Sequence, residues 1–172
     1  MHSLVFHAGR RVDGQWILGM IEINTGDVKR RGGRFRLEIC EDNKRDHNTL
    51  SNLIRKHVKP GTTLVTDEWR GYCGIEGYNY EHYTVTHDTS FVDQKTGANT
   101  QTIESQWRSM RRRLDRGGIP KDELASHMCE FLWRRYCYIN EMDPFMKFIE
   151  DSARTYDPKH PPTPQTESEQ SH

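Results

Sequence analysis

Hydrophobic residues recur along the chain at two spacings, and each spacing predicts a type of element. Residues 15–23 are apolar on both faces in the middle, whereas residues 35–39 alternate strictly between apolar and polar. We expect these two segments to be antiparallel strands, because a loop containing two adjacent glycines joins them. A short apolar run at residues 63–66 and a segment rich in Tyr and Thr at residues 80–85 predict two more strands.

Helical spacing predicts four helices. The first begins near Asn48 and carries one apolar stripe, ended by Pro60 and Gly61. The second begins at Thr100 and is long. Pro120 is expected to open the third, and Asp143 with Pro144 the fourth.

The order of these elements predicts an α/β fold. Residues 4–6 have the pattern of the end of a strand with no lead-in before it, so we expect the first strand to be incomplete. Residues 1–155 are predicted to form one domain. Residues 156–172, rich in Pro, Thr, Ser, Glu and Gln, are predicted to be a disordered tail.

Composition narrows the classes of function. The chain has 172 residues, and its 25 basic and 25 acidic residues balance, so overall charge gives no argument for a nucleic-acid partner. Its four cysteines show no zinc-binding spacing and are predicted to be reduced thiols in an intracellular protein. No apolar run is long enough to predict a membrane span, and the first residues do not have the pattern of a signal peptide.

Asp67 is the first candidate for chemistry. It follows the buried run at residues 63–66 and precedes Gly71. A carboxylate at the carboxyl end of a buried strand lies at the edge of a sheet, where ligands bind in α/β folds. The alternative is that Asp67 and Glu68 only cap the turn after the strand.

Glu104 and Arg111 are the next candidates. Glu104 lies in the first turn of the second helix, and Arg111 follows seven residues later on the same face. Asp67 and Glu104 could together bind a hard divalent cation, with Arg111 holding a phosphate. The alternatives are that Glu104 is an acid favoured by the helix dipole and that the nearby arginines form a solvated face.

A basic loop at residues 29–34 precedes the second of the two antiparallel strands. Four of its six residues are basic, including Arg30 and Arg31, and these could contact phosphates. A solvated loop is an equally good interpretation.

Three motifs occur in order with consistent spacing. They are Thr66–Tyr72, then Thr84–His87 followed by Phe91–Asp93, then Thr96–Arg108. These motifs resemble those of DDE transposases of the Merlin type and of the related bacterial insertion-sequence transposases with an ISXO2-like domain. The resemblance extends from about Gly14 to about Arg135.

The resemblance implies an RNase H-like mixed sheet of three antiparallel strands plus parallel strands, flanked by helices. It also implies that Asp67 and Glu104 are the second and third acidic residues of a catalytic triad, with Arg111 as an accompanying basic residue. Mg²⁺ or Mn²⁺ would then bind at Asp67 and Glu104. The motif containing His87 assigns that residue no role.

The implied partner is DNA, at transposon ends, and a homo-oligomer is possible. The implied location is the nucleus in a eukaryote and the cytoplasm otherwise, with no membrane association. The residues expected to contact DNA phosphates are Arg30, Arg31, Arg108, Arg111, Arg112 and Arg113.

The first acidic residue of the triad has no match in this chain. The expected position falls on or before residues 1–3, and no Asp or Glu precedes Asp13, which lies in a predicted turn beside Gly14. We therefore expect a transposase core truncated at its N-terminus that has lost catalysis. The other hypotheses are an active strand-transfer enzyme and a gene fragment whose first exon was missed. A non-catalytic descendant would bind nucleic acid or protein.

Overall fold

The computed structural model describes residues 3–12, 14–23, 33–85, 100–114, 119–156 and 159. Its five strands are β1 (Ser3–Val12), β2 (Gln15–Ile23), β3 (Phe35–Ile39), β4 (Thr63–Thr66) and β5 (Glu81–Thr84). Its four helices are α1 (His47–His57), α2 (Gln101–Leu114), α3 (Leu124–Ile139) and α4 (Pro144–Thr155). The predicted mixed α/β class is confirmed.

The five strands form one sheet in the order β3-β2-β1-β4-β5. β2 is antiparallel to both β1 and β3, whereas β4 is parallel to β1 and β5 is parallel to β4. The carboxyl ends of β3, β4 and β5 therefore lie at the same edge of the sheet as the amino end of β2. Because Asp67 directly follows β4, we call this the Asp67 edge.

Hydrophobic side chains cover both faces of the sheet. On one face, Leu18 and Leu64 pack with Leu50 and Ile54 of α1. On the other, alternate sheet residues pack with α2 and with the first part of α3. This is why β2 is apolar throughout its middle: successive residues point to opposite faces, and both faces are buried.

The helix ends follow local hydrogen bonding. The Asp46 side chain accepts a hydrogen bond of 2.9 Å from the Thr49 amide and so caps α1. α1 ends at His57, three residues before Pro60. Pro120 does not open α3, contrary to the prediction: a turn closed by the Glu123 amide and the Pro120 carbonyl (3.0 Å) precedes α3, which begins at Leu124.

β1 also differs from the expectation. Residues 4–6 were predicted to end a strand, but they lie in the first half of the ten-residue β1. The strand continues because β1 pairs with β2 along both halves of its length. Several predicted features lie outside the described residues: Arg30 and Arg31 in the basic loop, Asp13, His87 and the loop around it, and most of the tail.

Contacts divide the chain into two compact units, residues 1–132 and 133–172. In the second unit, Asp143 caps α4 by accepting hydrogen bonds from the amides of Phe145 (2.8 Å) and Met146 (3.0 Å). The Trp133 indole donates a hydrogen bond of 3.0 Å to Asp151. In the described parts of the chain, no helix is both long and apolar enough to cross a membrane.

Candidate active site

Asp67 lies at the end of a central strand, partly buried. It comes two residues after Val65, which packs on the α2 face, and directly after the last residue of β4. The Asp67 carboxylate also accepts a hydrogen bond of 3.2 Å from the Trp69 amide. Asp67 therefore caps the turn, as the simpler interpretation held, and it occupies the sheet edge at the same time.

A network of side chains fixes the residue before Asp67. The hydroxyl of buried Thr66 donates a hydrogen bond of 2.7 Å to the Asp67 carbonyl and lies 2.9 Å from His82 Nε2. The other ring nitrogen of His82 lies 2.7 Å from Glu76 Oε1. Hydrogen bonds from the backbone first, and from His82 second, lower the pKa of the Glu76 carboxyl. The network ties β5 to the end of β4.

A second set of contacts fixes the turn after Asp67. The Arg45 guanidinium carbon lies 3.9 Å from the Trp16 ring centroid and 3.6 Å from that of Trp69, so the cation is held between two indoles. The Trp69 indole also donates a hydrogen bond of 3.0 Å to the Arg45 carbonyl. A side chain at Gly71 would meet that carbonyl, since a Cβ there would lie 2.8 Å from it. The turn is thus anchored to the start of β2 and to the loop before α1.

Replacing Arg45 with alanine should lower the free energy of unfolding by about 2 kcal/mol, because the cation contacts two aromatic faces in a partly buried position. Arg55→Ala is the matched control: Arg55 lies over one ring, that of Tyr78, at 4.7 Å. We expect that control to cost about 0.5 kcal/mol, as for an exposed contact. Urea denaturation measures both, and equal losses would show that the double stacking adds nothing.

The charge of Asp67 acts on a buried neighbour. The hydroxyl of Tyr72 is buried and has no hydrogen-bond partner among the residues that the structure describes. Burial raises the pKa of Tyr72 well above its ordinary value, and the Asp67 carboxylate raises it further. The neutral phenol is therefore the stable form beside Asp67.

Glu104 lies on the first turn of α2, as predicted. Its carboxylate accepts a hydrogen bond of 3.0 Å from the Thr100 hydroxyl, so it also stabilises the start of the helix. Its neighbour Ile103 is buried in the same cluster as Val65 and Val85, and Val85 directly follows β5. The start of α2 therefore packs on the same side of the sheet as Val65 and Val85.

Farther along α2, Trp107 packs against Gly19 in the middle of β2. α2 therefore packs against β2 as well as against β1. Arg111 is two turns beyond Glu104, about 10 Å along the helix axis. Arg111 is partly buried, and its Nε has no hydrogen-bond partner within the described ranges. Arg108, Arg112 and Arg113 are exposed.

The described residues do not form a metal site by themselves. No group of three or more His, Cys, Asp and Glu side chains that could hold a metal ion occurs among them. Asp67 and Glu104 are the oxygen ligands that Mg²⁺ prefers, and Mg²⁺ sites can hold the ion through one or two carboxylates with water and substrate phosphates completing the shell. The donor chemistry suits the ion, but no coordination geometry is present, and we assign no chemical step to it.

Sequence reasoning located Asp67 and Glu104 but missed Arg45, His82 and their partners. The described structure places Asp67 directly after β4, Glu104 on the first turn of α2, and Arg108, Arg111, Arg112 and Arg113 farther along the same helix. Arg30 and Arg31 lie outside the described residues.

Comparison with known proteins gives the family. Residues 4–135 match the sequence profile of the ISXO2-like transposase domain. An uncharacterized transposase-like protein of Haemophilus influenzae is 31% identical over 87 residues, which cover 50% of this chain and 69% of that protein. The catalytic core domain of BIV integrase covers 90% of this chain and 98% of its own, with 12% identity and a TM-score of 0.47, too low to establish a common fold. From the profile match and this relative, the chain belongs to the ISXO2-like transposase domain family.

Proposed function

We propose that the chain is a transposase-derived domain with an RNase H-like fold that binds DNA. Asp67 and Glu104 would be the second and third acidic residues of a DDE site. The observation that carries the proposal is the placement of Asp67 directly after β4 and of Glu104 on the first turn of α2, within the segment that matches the family profile.

The arginines of α2 would bind the DNA backbone. Arg108, Arg112 and Arg113 are exposed on the same helix that carries Glu104, so phosphates bound there would lie along a line leading to the candidate site. Guanidinium groups form strong, directional hydrogen bonds to phosphate oxygens. Contacts of this kind set the position of DNA and carry little sequence information.

We further propose that the chain has lost the catalysis of its family. Mg²⁺ or Mn²⁺, when bound, would neutralise charge on the scissile phosphate. The chain supplies Asp67 and Glu104 for it, but β1, which lies beside β4 in the sheet, contains no Asp or Glu to serve as the first of the triad. The second candidate function is active strand cleavage and transfer, which the retention of both Asp67 and Glu104 favours.

Other parts of the proposal rest on the resemblance alone. Kinship with Merlin-type elements would place the protein in the nucleus of a eukaryote, whereas the relative reported above is bacterial. A homo-oligomer, a single domain spanning residues 1–155 and an N-terminal truncation stay predictions.

The test compares DNA binding with DNA cleavage. The DNA is a duplex carrying the terminal repeats of the transposable element that encodes the chain. We expect the wild-type chain and Asp67→Ala to bind it with equal affinity, and neither to cleave it in Mg²⁺ or Mn²⁺. Asp122→Ala, at an exposed position, is the matched control. Gel analysis of end-labelled DNA measures cleavage and strand transfer.

The outcomes separate the candidates. Metal-dependent cleavage by the wild type and by Asp122→Ala, but not by Asp67→Ala, would show an active enzyme and contradict the loss of catalysis. A wild-type chain that binds no DNA at low salt would contradict the DNA-binding function itself.

A further inference from the structure

A groove on the α1 side of the sheet lies next to the Asp67 edge. Its lining includes three cations, Lys44, Arg45 and Arg70, together with His47 and Trp69. We call it the Trp69 groove. Arg70 and Lys44 are exposed, and they belong to segments well separated in the sequence, so the fold itself brings their charges together.

The acidic residue that lines the groove is already engaged. The carboxylate of Asp46 caps α1, and hydrogen bonds from Thr49 lower its pKa. Lys44 has an ion pair of 3.3 Å with Asp42, but both side chains are largely exposed. A pair of that kind contributes little and competes weakly with a bound anion. The groove as a whole is therefore positively charged.

Contacts around Arg45 and Asn43 fix part of the groove. Arg45 is held between Trp16 and Trp69, so its cation keeps its place without a ligand. The Trp16 amide donates a hydrogen bond of 2.7 Å to the Asn43 side chain, whose amide donates one of 2.7 Å to the Gly14 carbonyl. These contacts fix the loop before α1 to the start of β2. A preorganised cation binds an anion with less loss of conformational entropy.

One fixed cation, two exposed cations and a partly buried indole suit a nucleic-acid strand, which offers phosphates and bases at a regular spacing. The position of the groove also favours a nucleic-acid strand as its ligand. The groove contains the turn that directly follows Asp67, so a strand whose phosphate lies near Asp67 would extend into it. The arginines of α2 cover the opposite side of the sheet.

We propose that the Trp69 groove binds the phosphate backbone of DNA beside the Asp67 edge. The inference rests on the DNA-binding function proposed above and adds to it a second contact region, separate from the arginines of α2. DNA would then contact both sides of the edge that carries Asp67.

The test reverses the exposed charges of the groove. The variant Lys44→Glu with Arg70→Glu is compared with Lys59→Glu with Lys121→Glu, an equal change of net charge at exposed positions outside the groove lining. Fluorescence anisotropy gives Kd for labelled duplex and single-stranded DNA between about 50 and 200 mM salt. Thermal unfolding shows whether each variant folds as the wild type does.

We expect the groove variant to bind DNA at least 10-fold more weakly and to lower the slope of log Kd against log salt by about 1 to 2, since each lost phosphate contact removes about 0.9 for duplex DNA. The control variant should bind within threefold of the wild type. Unchanged binding by the groove variant, or an equal loss of affinity in the control, would show that the Trp69 groove does not bind DNA. The proposal that α2 binds DNA would not be affected.

Two further outcomes are decisive. A wild-type chain that binds no DNA overturns both this inference and the proposed function. If polyglutamate binds the wild type and not the groove variant, while both bind DNA equally, the groove recognises an acidic protein instead.

Discussion

Replacing Trp107 with alanine should lower the free energy of unfolding by about 3–5 kcal/mol, the largest effect expected for any single substitution in this chain. The Trp107 side chain is only 1% exposed and lies at the centre of the cluster between the sheet and α2. Its ring packs edge-on against Phe35, with centroids 6.4 Å apart. Removing the indole leaves a cavity, and the strands of the sheet on one side of it are held by hydrogen bonds and cannot move in to fill it. Urea denaturation followed by circular dichroism measures the loss.

Gly19 of β2 faces the Trp107 ring and provides a second way to test this packing. A Cβ added at Gly19 would lie 2.5 Å from Cζ2 of Trp107, closer than real contacts allow. Gly19→Ala should therefore cost about 1–3 kcal/mol in the wild type. In the Trp107→Ala background the added methyl group has room, so the two substitutions should couple by about 0.5–3 kcal/mol.

Gly77→Ala is the matched control for the added methyl group. A Cβ at Gly77 would meet nothing within 4 Å, so the substitution should change stability by less than about 0.5 kcal/mol. If Gly19→Ala costs the same in both backgrounds, the indole does not occupy the space above Gly19.

The local pattern of apolar and polar residues predicts those elements whose limits depend on neighbouring residues in the sequence. The limits of β2, β3 and β4 agree with the predicted segments, because each has a clear apolar pattern and lies next to turn residues. For β1, the sequence predicts a strand that ends at residue 6, and the second half of the strand was missed. Its second half contains Arg10 and Arg11, which give no strand pattern, and it is a strand because it pairs with β2. Such pairing is a long-range property that no local window contains.

The candidate site shows the same division. Asp67 was found because a carboxylate directly follows an apolar strand, and Glu104 because it begins a strongly periodic helix. The stacking of Arg45 between Trp16 and Trp69 joins three separate segments, so no spacing could reveal it. The sequence shows one tryptophan at the start of a strand and another in a turn, and nothing in it indicates that they share a partner.

The second large effect concerns DNA. Reversing two exposed charges of α2, in the variant Arg112→Glu with Arg113→Glu, should weaken DNA binding about 100-fold at 50 mM salt and lower the salt slope by about 2. Each reversal removes a phosphate contact and adds repulsion. Arg111 is left unchanged because it is partly buried, and replacing it would change the stability of the fold as well as the affinity for DNA.

The conservative variant Arg112→Lys with Arg113→Lys separates charge from packing. It keeps both charges, so its salt slope should equal that of the wild type and its affinity should stay within about threefold, since binding to the backbone depends chiefly on charge. The loss in the reversed variant should be equal for unrelated duplex sequences, because phosphate contacts do not read bases. If the reversed variant binds as the wild type does, α2 is not a DNA-binding helix, and any binding measured for the chain arises elsewhere.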